Sequence, residues 1–178
     1  IRMIVPSALA YGRDGYSYFE GYSKLSVGGN SSLDVTVKVI NDLPKYENAA
    51  ILKYIADNKL EGFESTASGL YYKKISNGAG DTITVDSTVK VSYTGRLLNG
   101  KAFDTVTDDN AVSFVLGGSV KGWQEGIPKI RQGGSIRLIM PSHLAYGLSG
   151  SISPNTGLTD IPPFSALDFE IKVIDVSK

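Results

Sequence analysis

The alternation of apolar and polar positions is clearest in residues 89–123, where it predicts strands followed by a short helix. Val89, Val91 and Tyr93 alternate with polar residues, which is the period of a strand with one buried face. Asn99-Gly100 follows and predicts a two-residue turn, because Asn and Gly tolerate positive φ. The chain therefore folds back at this point into a second, antiparallel strand.

Further strands and one helix follow from the rest of the pattern. Residues 101–103 and 113–116 each begin a strand, and Gly117-Gly118 ends the second one. A helix opens at Lys121, and Pro128 should limit it to about two turns, because an interior proline removes a backbone donor. The remaining predicted strands are residues 69–75, 135–140 and 167–173.

Residues 45–58 have a helical pattern instead. Asp42 can cap the first turn, Pro44 fits that turn, and Ala50, Ile51, Tyr54 and Ile55 recur at helical spacing. The segment is interpreted as a spacer whose apolar stripe packs on a neighbouring domain. A partner-binding helix is the alternative.

An internal repeat relates the beginning of the chain to its end. Residues 1–12, IRMIVPSALAYG, match residues 136–147, IRLIMPSHLAYG, at nine of twelve positions. Residues 33–40, LDVTVKVI, match residues 167–174, LDFEIKVI, at five of eight. The two offsets are nearly equal, so the repeat is a duplicated structural unit with a loop between its two strands.

The repeat predicts three parts: 1–41 as the C-terminal half of a first domain, 42–61 as a linker helix and 62–178 as a complete domain. Two strands cannot bury a face by themselves. The missing half should therefore lie upstream in the natural polypeptide, which fits a first residue that is Ile and not Met. Two alternatives are that another chain supplies it, or that the half-domain packs on the second domain.

Composition excludes several classes of function. The formal net charge is zero, so charge gives no reason to expect binding to nucleic acid, which requires a basic patch. No apolar run is long enough to span a membrane. There is no cysteine and one histidine, His143, in a predicted loop. We therefore expect no nucleophilic catalysis, no metal and no cofactor, and we interpret the Asp108-Asp109 stretch as a solvated turn.

Five short motifs occur in a fixed order along the second domain. They are YTG at 93–95, NGKAFD at 99–104, VKGWQEG at 120–126, PSHLAYG at 141–147 and IPPFSAL at 161–167. With the terminal FEIKVIDV, this order resembles the FKBP-type peptidyl-prolyl cis/trans isomerases over about residues 69–176. The tandem arrangement resembles bacterial members whose first repeat is truncated here.

The resemblance implies an α+β fold, in which a twisted antiparallel β-sheet wraps around the short helix. It implies an isomerase that assists folding of proline-containing polypeptides, with macrolides as possible inhibitors. A chaperone or protein-binding module with negligible turnover is the alternative, and a structural envelope protein is a third. Resemblance to envelope-associated bacterial members implies the cell envelope or periplasm.

The resemblance also implies the site. Trp123 would form the floor, Phe103, Val112 and Phe169 the walls, and Tyr146 and the Val120 N–H would donate to substrate carbonyls. The complete set of implied catalytic and substrate-binding residues is Tyr93, Phe103, Asp104, Trp123, Tyr146, Phe169, Val112, Val120 and Ile161.

Three departures from the family pattern concern the edge of this pocket. Val112 stands where an aromatic residue is common. Asp108-Asp109 replaces a stretch that often carries a basic partner for Asp104, and Asp160 stands where an apolar residue is frequent. These differences concern catalytic efficiency and macrolide affinity more than the fold.

Overall fold

The computed structural model describes residues 18–23, 35–40, 42–152 and 159–177, and these residues form two compact units that divide after Glu47. In the first unit, β1 (Tyr18–Ser23) pairs antiparallel with β2 (Val35–Ile40). The strand predicted at 33–40 is therefore present as β2. β1 lies where only a loop was expected. The predicted early strand and the AYG loop of this repeat lie outside the described residues.

The helix α1 spans Leu43–Asp57, so it begins two residues earlier than the sequence pattern predicted. Its first turn is capped as expected, because the Lys45 N–H donates to the Asp42 side chain at 3.0 Å. From Asn48 onward the helix belongs to the second compact unit.

The second unit is built on a seven-stranded antiparallel sheet, which confirms the predicted fold class. Its strands are β3 (Glu64–Ser65), β4 (Tyr71–Ser76), β5 (Thr88–Leu97), β6 (Ala102–Val106), β7 (Val112–Val115), β8 (Ser135–Met140) and β11 (Leu167–Ser177). They lie in the order β3-β4-β8-β11-β5-β6, and β7 pairs with β5 along the same edge as β6.

One face of this sheet carries the main core. The alternating residues of β5, β8 and β11 that point inward are almost fully buried, as period-two patterning requires. The helix α2 (Lys121–Gly126) covers them and continues as a 3₁₀ turn, Ile127–Lys129, that contains Pro128. A Cβ at Gly126 would lie 2.6 Å from the Leu138 side chain, so glycine permits this close helix–sheet contact.

The opposite face of the sheet is covered in part by α1. Ile51 and Tyr54 of the helix are buried with Ile139 and Ala166 in a second, smaller cluster. This contact fits the predicted packing of the apolar stripe of α1 on a neighbouring domain.

Two connections differ from the sequence prediction. Between the hydrogen-bonded residues Leu97 and Lys101, the turn from β5 to β6 holds three residues, Leu98–Gly100, and among these only Gly100 has positive φ, at 84°. It is a type I turn closed by a glycine bulge, because Leu97 accepts from Gly100 and donates to Lys101. Residues 148–159 are rich in Ser, Gly, Asn and Pro, a composition that predicts a loop, yet they contain β9 (Ser151–Ile152), which pairs with β10 (Thr159–Ile161).

Candidate functional site

Four of the aromatic residues singled out from the sequence meet on the core face of the sheet. Trp123 is at the start of α2, and its ring centroid lies 5.2 Å from that of Phe169 and 5.1 Å from that of Tyr93. Phe103 lies 5.6 Å from Phe169. All three pairs are edge-to-face, which is a favourable geometry for aromatic rings. We call these four residues the aromatic cluster.

Strand register explains why the rings converge. Phe169 on β11 is directly opposite Gly95 on β5, and Gly95 is opposite Asp104 on β6. A Cβ on Gly95 would lie 2.6 Å from Phe103 and 2.7 Å from Phe169, so the two rings occupy the space that a side chain at position 95 would need. The glycine of the YTG motif is therefore required for the ring packing itself.

Trp123 forms the base of the cluster. It is only 6% exposed, and its Nε1 has no hydrogen-bond partner among the described residues. Phe114 of β7 also packs on it, at 5.7 Å. Phe114 was not among the predicted site residues, although its alternation with exposed Ser113 and Val115 was a usable signal.

Two donors near the cluster make no hydrogen bond to any described residue. The first is the Val120 N–H, at the N-cap of α2, where the Val120 carbonyl is already used by Trp123 and Gln124. The second is the Tyr146 hydroxyl, on a side chain that is 39% exposed. Neither donor is occupied by a residue that the structure describes, so the carbonyl oxygen of a bound peptide could accept from either one.

Asp104 is an exposed carboxylate beside the cluster. It accepts a short hydrogen bond from the Tyr93 hydroxyl. Burial and then this hydrogen bond raise the pKa of Tyr93 above its usual value. Partial burial and the negative charge of Asp104 also raise the pKa of Tyr146. Both hydroxyls therefore stay protonated at neutral pH and can act as donors.

The remaining predicted site residues differ in their exposure. Ile161 is 3% exposed and belongs to the main core, and Val120 packs against that core. Val112, at the start of β7, is 41% exposed, so it encloses the cluster less than the aromatic rings do. The Asp108 carboxylate accepts from Ser92 and Lys172, which are on the other face of the sheet.

Comparison with known proteins identifies the family. The model of the FKBP-type peptidyl-prolyl cis-trans isomerases matches residues 80–174, which is more than half of the chain. The chain belongs to this FKBP family. All four residues of the aromatic cluster lie within the matched range.

The FKBP relatives include bacterial proteins. A probable FKBP-type peptidyl-prolyl cis-trans isomerase of Haemophilus influenzae is 44% identical over 115 residues, which cover 64% of this chain and 45% of the relative. FkpA of Escherichia coli is 38% identical over 119 residues, covering 66% and 42% respectively. The chain thus matches less than half the length of these two curated relatives.

Solved FKBP structures share the fold. The crystal structure of FkpA from Escherichia coli has a TM-score of 0.63 at 34% identity, covering 75% of this chain and 61% of that one. A peptidyl-prolyl cis-trans isomerase of Pseudomonas syringae has a TM-score of 0.61 at 30% identity, covering 78% of this chain and 99% of that one.

Proposed function

We propose that the second unit catalyses cis/trans isomerisation of X-Pro bonds in polypeptide substrates. The observation that carries the proposal is the aromatic cluster, together with two donors that bind no described residue, the Val120 N–H and the Tyr146 hydroxyl. Trp123 forms the floor, Phe103 and Phe169 form walls, Ile161 belongs to the same buried core, and Val112 lies at the rim. Asp104 orients Tyr93 by accepting a hydrogen bond from its hydroxyl.

The chemistry needs no nucleophile. The barrier is rotation about a partial double bond, about 18–20 kcal/mol. Water that is hydrogen-bonded to the amide oxygen favours the planar resonance form, so a dry aromatic site lowers the cost of twisting. Fixed donors can then bind the twisted amide better than the planar one, which is how differential binding accelerates a reaction.

The assay is turnover of a proline tetrapeptide by the full chain. We expect acceleration over buffer by the wild type, a modest loss for Trp123→Leu and a larger loss for the Trp123→Leu/Tyr146→Phe double variant. Tyr71→Phe changes a tyrosine on the other face of the sheet, in the cluster beneath α1, and should keep the wild-type rate. A wild-type rate equal to that of buffer removes the enzyme proposal.

A binding module with negligible turnover is the second candidate, and the exposure of Val112 favours it because one side of the site is less enclosed. It predicts that an unfolded proline-containing polypeptide binds the chain, that Trp123→Leu weakens the binding, and that the tetrapeptide rate equals that of buffer. A macrolide that competes for the aromatic cluster would show that both activities use one surface.

We also propose the organisation of the whole chain. Residues 1–41 are the C-terminal half of a first FKBP-like repeat, 42–61 form a linker, and 62–178 form the complete domain. The support is the repeated sequence and the strand β2, which corresponds to the first part of β11. The complete gene tests this, since it should encode the missing YTG, FD and GW motifs upstream.

A cell-envelope or periplasmic location and a folding-assistance role are proposed with it, for proline-containing clients. They are supported by the likeness to bacterial FKBP-type isomerases. Among the helices that the structure describes, none has the length and apolarity to cross a bilayer. Fractionation of the native organism that finds the protein only in the cytosol would contradict this location.

A further inference from the structure

The back of the sheet carries a buried carboxylate directly beside the aromatic cluster. Asp168 is fully buried and precedes Phe169 on β11. Adjacent strand residues point to opposite faces, so Phe169 enters the cluster while Asp168 points away from it. A fully buried charge requires partners, and here they come from two different elements.

Arg137 on β8 holds this carboxylate through two hydrogen bonds. Its Nε donates to Oδ1 at 2.9 Å and its Nη2 to Oδ2 at 2.6 Å. The same guanidinium reaches Glu170 through Nη1 at 3.3 Å. Arg137 therefore holds the side chains on both sides of Phe169, the residue before it and the residue after it.

Tyr54 on α1 supplies the third hydrogen bond. Its hydroxyl donates to Oδ2 of Asp168 at 2.8 Å, across 114 residues of sequence. The Tyr54 side chain is buried in the same place, packed with Ile139 and Ala166. The helix thus closes the carboxylate off from water and is joined to the strand that bears Phe169.

Stability alone does not account for this arrangement. A buried ion pair is on average no more stabilising than apolar residues of similar volume. A planar guanidinium that donates to both carboxylate oxygens does fix the orientation of the carboxylate, because the two hydrogen bonds specify the positions of both oxygens. We propose that Tyr54, Arg137 and Asp168 are positioning residues that hold Phe169 against Trp123 from behind the sheet, which makes α1 part of the catalytic unit. The effect on turnover rests on the proposed isomerase function.

The experiment compares two tyrosine variants of the full chain. Tyr54→Phe removes only the hydroxyl that binds Asp168 and keeps the ring packing. The matched control is Tyr71→Phe, which removes another hydroxyl between the sheet and α1, the one that donates to Asn48 at 2.7 Å. Tyr71 is on β4, two strands from β11, the strand that bears Phe169. Tetrapeptide turnover, resolved into kcat and KM, is measured beside the fluorescence of Trp123, the only tryptophan.

We expect Tyr54→Phe to lower kcat/KM about three- to ten-fold, mainly through kcat, because small displacements of a reacting site are costly. The emission of Trp123 should change with it. Tyr71→Phe should leave both at wild-type values. Equal turnover and equal emission in the two folded variants would overturn the proposal.

Two further outcomes keep the test decisive. If Tyr54→Phe does not fold, Arg137→Lys takes its place, since lysine keeps the charge but cannot bind both carboxylate oxygens in the same geometry. The same loss supports the proposal, and wild-type turnover overturns it. If the wild-type chain shows no turnover, the proposed function fails by itself. In that case, a change in Trp123 emission in Tyr54→Phe but not in Tyr71→Phe supports the positioning role. Equal emission in the two variants overturns it.

Discussion

Gly95→Ala tests whether the packing of the aromatic cluster sets the activity. Gly95 has an ordinary strand conformation, so alanine brings no backbone strain there. The added Cβ would lie 2.6 Å from Phe103 and 2.7 Å from Phe169. Ordinary carbon contacts are about 3.5–4.0 Å, so each ring must move by about 1 Å or the strands must separate.

Both responses have a calculable order of magnitude. Adding one methyl group to a packed core typically lowers the free energy of unfolding by about 1–3 kcal/mol. A displacement of about 1 Å at a reacting site can reduce the rate by about 10²-fold. We expect Gly95→Ala to remain folded and to lose about ten- to a hundred-fold in kcat/KM.

The assay pairs urea unfolding with turnover of a proline tetrapeptide. Gly118→Ala is the matched control, because a Cβ at Gly118 would meet nothing within 4 Å and the backbone there has no positive φ. It should leave activity and stability nearly unchanged. A Gly95→Ala chain that is as active as the Gly118→Ala chain would refute the dependence of turnover on ring position.

Three other predictions follow from the site and its surroundings. Tyr146→Phe removes one hydrogen bond worth about 0.5–1.5 kcal/mol, so kcat/KM should fall about two- to twelve-fold, and an unchanged value would exclude the hydroxyl as a donor. The raised pKa values of Tyr93 and Tyr146 keep both hydroxyls protonated, so the rate should stay level from about pH 6 to 9; a pH–rate profile with a step near 7 would contradict this. Hydrogen bonds from Lys172 and Ser92 lower the pKa of the Asp108 carboxyl in the folded protein. Their contribution to stability is therefore present above about pH 4, the pKa of this group in the unfolded chain, and is lost as the pH falls through the lower pKa of the folded protein. Asp108→Asn should therefore unfold with a weaker dependence on acid pH than the wild type, as measured by thermal melting across that range.

The strands were predictable wherever one face is buried and the other is polar. The limits of β8 match the predicted 135–140 because Gly133-Gly134 precede the apolar run and Pro141 follows it. The β5–β6 loop was less predictable. Asn-Gly fits both a two-residue turn and the observed three-residue loop, and the choice depends on a bulge between Gly95 and Arg96 that local sequence does not encode.

The residues of the aromatic cluster were predictable through the resemblance. The hydrogen-bonded group around Asp168, on the other face of the sheet, was not. Asp168 occupies a position that the alternation of β11 assigns to the polar face, so the sequence suggests a solvent-exposed carboxylate. Its burial depends on α1 packing over that face, and its contact with Tyr54 joins residues 114 positions apart. Contacts at such separations depend on tertiary packing and leave no periodic signal in the chain.

The position of β11 in the sheet constrains when this protein can fold during its synthesis. The strand lies between β8 and β5, yet it ends at Ser177, so its pairings with β5 join segments about 70–90 positions apart. Folding slows as contacts become less local, because loop closure costs entropy before the contact forms. A ribosome must therefore complete translation through β11 before the sheet can close. Until then, the inner faces of β5 and β8 are exposed, so a protein that is proposed to assist the folding of others has a vulnerable period during its own synthesis.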